Sequence, residues 1–125
     1  MERLKKHHIS FKNAWSGVHW SFTSQPNFMI HLIFSITAVF LGIVLGISKI
    51  EWLIIILSIV FGLGAEMINT SIEAMCNLIT TDWKKEAKIA KDVSAGMMLI
   101  IAVGTLIIGL IIFIPKLLLI LPDFF

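Results

Sequence analysis

Residues 52–79 read WLIIILSIVFGLGAEMINTSIEAMCNLI, an apolar stretch interrupted by a few polar side chains. Five of these polar residues recur at helical spacing: Glu66, Asn69, Thr70, Glu73 and Asn77. Offsets of three, four, seven and eleven return to one face of a helix, because each residue turns it by about 100°. An acidic side chain inside a membrane costs about 2.5–3.5 kcal/mol on insertion scales and usually marks function. We therefore expect the chemistry on this polar face.

The composition indicates a membrane protein. Of the 125 residues, 58% are hydrophobic and 14% charged, and the mean hydropathy is +0.95. A soluble domain of this size needs more polar surface. The net charge of +2 is too small to indicate a nucleic-acid partner, and the single Cys76 excludes an intrachain disulfide. We expect no cleaved signal peptide, since no apolar core with a cleavage site closely follows the basic N-terminus.

Three segments are long enough to cross a bilayer, which needs about 20 residues. Residues 28–48 and 93–114 are uncharged runs, the latter followed by Pro115 and Lys116. A helix over residues 52–79 would be ~42 Å long, so its last two turns should reach the headgroups. The prediction is an all-α membrane protein with three transmembrane helices, 28–48, 52–79 and 93–114, in a single domain, 1–125.

The N-terminal arm, residues 2–22, has the periodicity of an amphipathic helix. One face carries Leu4, Phe11, Trp15, Val18 and Phe22. We expect it to lie in the membrane interface, with its basic residues toward anionic headgroups. A turn should follow at residues 24–27, because a proline disfavours helix at the residue before it.

Basic residues set the orientation. Eight of the ten precede the first span or lie between the second and third: Arg3, Lys5, Lys6, Lys12, Lys84, Lys85, Lys88 and Lys91. The positive-inside rule then places the N-terminus and the second loop in the cytoplasm. Glu73 and Asn77 should lie near that surface, with Glu66 about 10 Å deeper.

The run Glu66-Met-Ile-Asn69-Thr-Ser-Ile-Glu73 resembles the E-x-x-N-[ST]-x-x-E motif of the prokaryotic diacylglycerol kinase family, which includes undecaprenol kinases. The resemblance extends to Ala90-Lys91-Asp92 and to residues 11–14 and 27–32, and it covers essentially the whole chain. No GxxxxGK[ST] motif is present, so the nucleotide would not be held by a P-loop.

The resemblance implies a multi-pass protein of the bacterial inner membrane, a homotrimer whose active sites are shared between neighbours. It implies that ATP and Mg²⁺ serve to phosphorylate a lipid hydroxyl. Carried over by position, Glu66 is the catalytic base, Glu73 binds metal and ATP, and Asn69 is a supporting polar residue. The remaining ATP-binding candidates are Asp82, Trp83, Lys84, Lys91 and Asp92.

Two positions depart from the family pattern. Gln25 stands where the family commonly has a glutamate that binds metal, and Asn77, a second supporting polar residue, stands where an aspartate is common. Each change removes a negative charge and keeps an amide oxygen, which can still bind Mg²⁺. The competing hypothesis is a catalytically degenerate member that acts as a small membrane scaffold.

Simpler interpretations remain for single residues. Glu66 and Glu73 can be polar contacts between helices, and Lys91 can merely mark the cytoplasmic end of a span. His31 is expected to face a partner helix or to snorkel toward the interface, with a ligand role as the less favoured alternative. Asp92 is expected to orient Lys91 or to contact ribose or metal. Undecaprenol and diacylglycerol both remain candidate acceptors, and the runs at 11–14 and 27–32 resemble the undecaprenol branch more closely.

Overall fold

The computed structural model describes the backbone of residues 2–120 and the side chains of residues 9–120. This part of the chain forms four helices: α1 Glu2–Ser24, α2 Pro26–Val44, α3 Lys49–Ile79 and α4 Lys85–Ile120. The last three are long and apolar enough to cross a membrane, which confirms the all-α fold with three candidate spans.

The predicted N-terminal helix forms as α1. Its apolar residues Phe11, Trp15, Val18 and Phe22 are all exposed, so they are available to a membrane surface. Leu4 lies outside the described side chains. The location of α1 in the interface stays a prediction.

The turn expected at residues 24–27 is shorter in the structure: Ser24 still belongs to α1 and α2 begins at Pro26, so Gln25 alone separates the two helices. Gln25 has an extended backbone, with φ −112° and ψ 108°, and Pro26 occupies the first turn of α2. The backbone N–H of Gln25 still donates to the Ser21 carbonyl, at 3.1 Å. Pro26 needs no hydrogen-bond donor there, because the first amides of a helix have no intrahelical acceptor.

The first span is shorter than residues 28–48 suggested, because α2 ends at Val44. Gly46 follows with φ +59°, a left-handed conformation that glycine adopts at little cost. Ser48 then caps α3: its Oγ accepts from the Glu51 amide at 3.3 Å, and its own amide donates to Glu51 Oε2 at 2.6 Å. This capping box starts α3 at Lys49, three residues before the apolar run.

Helix α4 extends past both ends of the predicted span 93–114. It begins at Lys85 because the polar residues before Val93 also favour helix, with Glu86 placed in the first turn. It also continues through Pro115 to Ile120. Proline removes one intrahelical hydrogen bond, which membrane helices tolerate when neighbouring groups compensate.

Helix α3 packs mainly against α4 and also against α2. Apolar contacts concentrate near the α2–α3 turn, where Ile47, Ile55, Ile112 and Phe113 form a buried cluster. At the same end, Lys116 Nζ lies 3.3 Å from Glu51 Oε2. The opposite end of α3 and α4 carries the buried polar side chains described next.

Candidate active site

Glu66 lies in the second half of α3 and is only 2% exposed. Two α2 side chains, Asn27 and His31, lie near its carboxylate. His31 therefore faces a partner helix, as one interpretation of the sequence proposed. A buried carboxylate flanked by polar groups is unusual in a membrane helix and indicates a functional site.

One turn further along α3, Asn69 connects Glu73 to α4. Asn69 is 5% exposed, and its Nδ2 donates to Glu73 Oε1 at 3.2 Å. Its Oδ1 accepts from the Ser94 hydroxyl at 2.7 Å, in a buried hydrogen bond between α3 and α4. Both the nitrogen and the oxygen of the Asn69 side-chain amide are thus hydrogen-bonded. Glu73 itself is exposed, so one of its oxygens is positioned by Asn69 while the carboxylate can still reach a ligand.

The end of α3 meets α4 through a second polar contact. Lys91 Nζ donates to Asn77 Oδ1 at 2.7 Å. Lys91 forms no ion pair with any carboxylate among the described side chains, so its charge is not neutralised. Asp92, expected to orient Lys91 or to contact ribose or metal, pairs here with Lys88 one turn earlier on α4. Lys91 and Asp92 are adjacent and point in different directions around the helix. The contact of Asp92 with a nucleotide or metal stays a prediction.

The loop between α3 and α4 borders a cavity of about 410 Å³. Its lining includes the predicted loop residues Asp82, Trp83 and Lys84, together with Asn77, Lys88, Lys91 and Asp92. Thr80 shapes the loop, because its Oγ1 accepts from the Asp82 amide at 3.1 Å. The Trp83 side chain is 76% exposed, so it does not pack in the core. A basic, partly polar cavity with an exposed aromatic ring is suited to a nucleotide.

A second depression, about 290 Å³ in volume, lies between the middle turns of α3 and α4. Its polar groups are the hydroxyls of Ser58 and Thr105. Each donates to a carbonyl of its own helix, at 2.8 and 2.9 Å. This depression offers apolar surface and no charged group, so the chemistry belongs to the loop end.

The donor set fits a cation only in part. No cluster of three His, Cys, Asp or Glu side chains suited to a metal occurs within residues 9–120. Mg²⁺ is often bound by one or two carboxylates together with substrate phosphates, and Glu73 can serve as such a carboxylate. Gln25 is half-buried at the start of α2 and makes no capping hydrogen bond. Its role as a second ligand stays a prediction.

Comparison with known proteins identifies the family. The family model described as prokaryotic diacylglycerol kinase matches residues 12–113. The chain belongs to the prokaryotic diacylglycerol kinase family. It is 38% identical over 114 residues to an undecaprenol kinase of Bacillus subtilis, covering 91% of this chain and 93% of that protein. It is 32% identical over 111 residues to a diacylglycerol kinase of Synechocystis, covering 88% of this chain and 63% of that protein.

Membership of the diacylglycerol kinase family indicates a membrane-embedded lipid kinase, as the sequence motifs predicted. Sequence reasoning did not identify Ser94 as part of the polar network. A hydroxyl at the start of the uncharged run 93–114, three residues after Lys91, was the available signal. Thr80 was also missed, although a threonine two residues before an aspartate is typical of a turn.

Proposed function

We propose that this protein transfers the γ-phosphate of ATP to the hydroxyl of a membrane lipid alcohol at the cytoplasmic face. The observation that carries the proposal is the continuity of the polar end of the bundle. A buried carboxylate, Glu66, lies two helical turns from an exposed carboxylate, Glu73. An un-neutralised ammonium, Lys91, borders the adjacent cavity.

The proposed reaction uses groups at two depths, Lys91 near the loop and Glu66 deeper in the bundle. Lys91 faces a phosphate oxygen as a point charge, held in place by Asn77. Glu66 accepts the proton of the lipid hydroxyl as that oxygen bonds to the γ-phosphorus. The bond from the γ-phosphorus to the bridging oxygen breaks at the same centre, and ADP leaves. Such transfers depend mainly on positioning and on stabilising charge, which suits a site with few catalytic groups.

We assign Glu73 as the protein carboxylate for Mg²⁺, with Asn69 positioning it. The ion would neutralise charge on the phosphates of ATP. Gln25 is proposed as a weak additional ligand through its amide oxygen. Asp82, Trp83 and Lys84 are assigned to the nucleotide through their place at the cavity, with Trp83 stacking on the base.

The alternative of a degenerate scaffold rests on Gln25 and Asn77, which lack the charge common in the family. Asn77 has a specific contact here, because its amide oxygen accepts from Lys91. An amide at this position holds the lysine without cancelling its charge. This arrangement supports an active site adapted to asparagine.

The decisive experiment is transfer of labelled phosphate from ATP to lipid in mixed micelles. We expect wild type to be active and Glu66→Gln to lose at least about 100-fold, the lower end of a general base's contribution. Glu86→Gln is the matched control, since it makes the same change at an exposed site outside the cavity lining. Equal rates for wild type and Glu66→Gln would overturn the proposal, as would inactivity of both with several lipid alcohols and divalent metals.

We propose that the protein phosphorylates undecaprenol at least as well as diacylglycerol. The support is the greater identity to the undecaprenol kinase and the near-complete coverage of that relative. Apolar grooves separate lipid shapes by only about 1–3 kcal/mol per feature, so overlapping use of both lipids is expected. Competition in one micelle preparation decides this: a large excess of phosphatidic acid over undecaprenyl phosphate would reject the assignment.

We propose a homotrimer with sites shared between protomers. One protomer leaves most apolar side chains of α2 exposed, including Phe34 and Phe40, and Glu73 is also exposed. Mixing unfolded Glu66→Gln and Glu73→Gln subunits before reconstitution should restore activity if neighbours supply the two carboxylates. A mixture that remains inactive while each variant still forms trimers by light scattering would place both carboxylates in one protomer.

The proposed orientation has the N-terminus and residues 80–84 in the cytoplasm of a bacterial cell. Cys76 is the single cysteine and is buried, so a Cys76→Ala background allows site-specific labelling. Thr81→Cys should react with a membrane-impermeant maleimide only in inverted vesicles, and Lys49→Cys only in intact cells. The opposite pattern would reverse the assignment.

A further inference from the structure

Two polar contacts join α3 to α4 at this end of the bundle, Asn69 with Ser94 and Asn77 with Lys91, and Ser94 touches both Asn69 and the Lys91 backbone. Its side chain is buried, 4% exposed. The hydroxyl oxygen lies 2.7 Å from Asn69 Oδ1 on α3 and 2.9 Å from the Lys91 carbonyl on its own helix. Lys91 in turn reaches Asn77. The residue therefore lies between the proposed metal-binding carboxylate and the proposed phosphate-binding lysine.

The Ser94 hydroxyl holds the Asn69 amide from the α4 side. When Ser94 donates to Asn69 Oδ1, the amide nitrogen is directed at Glu73 Oε1, the 3.2 Å contact that the structure has. Turning the amide over would bring its oxygen to the Glu73 carboxylate, where two acceptors repel. Without the hydroxyl, the buried Asn69 amide oxygen would lose its hydrogen-bond donor, and the amide would be less restricted in its position.

We propose that Ser94 is a positioning residue for the metal site, acting through Asn69 on Glu73. Its hydroxyl fixes the amide, and the amide fixes one carboxylate oxygen so that the other faces the cation–nucleotide complex. The proposal rests on the proposed function for the identity of that ligand. Residues that orient a metal ligand typically change metal affinity by 10–100-fold when removed.

A role limited to holding α3 against α4 makes a different prediction. In that case the loss of the hydroxyl lowers stability and leaves the metal requirement unchanged. Thr105→Val is the matched control, because Thr105 is on the same helix and its hydroxyl oxygen likewise lies 2.9 Å from the carbonyl three residues earlier. The Thr105 hydroxyl makes its hydrogen bond within α4, to the Ala102 carbonyl, and not to α3.

The test measures metal dependence in two ways on the full-length protein. The first is the Mg²⁺ concentration that gives half-maximal kinase rate; the second is Mn²⁺ binding, followed by electron paramagnetic resonance with a non-hydrolysable ATP analogue. For Ser94→Ala we expect both values to rise about tenfold. The KM for lipid and the rate at saturating Mg²⁺ should stay within about twofold of wild type. Ser94→Thr, which keeps a hydroxyl, should recover most of the affinity, and Thr105→Val should match wild type.

A double-mutant cycle identifies the route. If Ser94 acts through Asn69, adding Ser94→Ala to Asn69→Ala should change Mn²⁺ affinity no further, whereas independent effects would multiply. Unchanged Mg²⁺ and Mn²⁺ dependence in Ser94→Ala would overturn the proposal, and so would additivity in the cycle. If Ser94→Ala fails to fold, the same two readouts on Ser94→Thr and Ser94→Gly decide. Phosphate transfer absent from wild type, with Mn²⁺ binding still weakened by Ser94→Ala, would reject the proposed function and keep this one.

Discussion

Lys91 Nζ donates to Asn77 Oδ1 over 2.7 Å, which joins the first turns of α4 to the last turn of α3. The acceptor is neutral, so the ammonium keeps its full charge at the mouth of the loop cavity. An aspartate at residue 77 would hold the same ammonium and cancel much of that charge. The contact holds the Lys91 ammonium where we expect a phosphate of the nucleotide to bind.

Removal of the Asn77 amide should therefore weaken nucleotide binding. A hydrogen bond to a charged group contributes about 1.5–3 kcal/mol, and we expect Asn77→Ala to raise the KM for ATP about tenfold with a smaller effect on kcat. Steady-state kinetics with ATP as the varied substrate measures this. Ser71→Ala is the control, since that exposed α3 hydroxyl donates only to Met67 of its own helix. An unchanged KM in Asn77→Ala would show that Lys91 needs no support from α3.

The metal requirement should respond to charge at residue 25. If Gln25 lies near the cation, Gln25→Glu adds a charged ligand and should lower the Mg²⁺ concentration for half-maximal rate. Glu73→Gln should have a far larger effect in the opposite direction, because it removes the proposed charged ligand. Both are measured by Mg²⁺ titration at fixed free ATP. A requirement that is unchanged or higher in Gln25→Glu would place residue 25 away from the metal.

Packing at the α2–α3 turn should tolerate little extra volume. A Cβ on Gly42 would lie 2.9 Å from Trp52 Cη2 and 3.0 Å from Ile47 Cδ1, so these side chains would have to shift. Overpacking costs about 1–3 kcal/mol, against a gain of about 0.5–1 kcal/mol from replacing a helical glycine. Gly42→Ala should be net destabilising in thermal unfolding in detergent. Gly104→Ala, where a Cβ meets open space, should be neutral or stabilising; equal effects of the two would contradict this packing.

Glu51 should contribute more to stability than its ion-pair partner. Its carboxylate both caps α3 through Ser48 and lies 3.3 Å from Lys116. A partly exposed ion pair gives about 0.2–1 kcal/mol and a helix cap about 1 kcal/mol. We expect Glu51→Ala to destabilise more than Lys116→Met, and Glu51→Gln, which keeps a capping oxygen, to resemble Lys116→Met. Denaturant unfolding in mixed micelles measures the order, and a larger effect of Lys116→Met would refute it.

The helix ends were only partly predictable. Pro26 is a local signal that starts α2 as expected. The Ser48–Glu51 capping box is also local, but Ser48 was expected inside the first span, so the cap was not predicted. The length of α4 was underestimated, because the absence of charge marks the part of a helix inside the membrane and says nothing about how far the helix continues in water. Pro115 marks the end of the uncharged run but not the end of the helix, because α4 continues through it to Ile120.

The sequence by itself determined three apolar spans, the polar face of α3 and the family motif. Span length and helical period are properties of neighbouring residues, so they can be read without knowing what each helix contacts. Only the tertiary structure decided that Ser94 bonds Asn69, that Lys91 bonds Asn77 and that Asp92 turns to Lys88. Those pairings depend on the rotation and axial offset of α4 against α3, which the packing of the whole bundle sets.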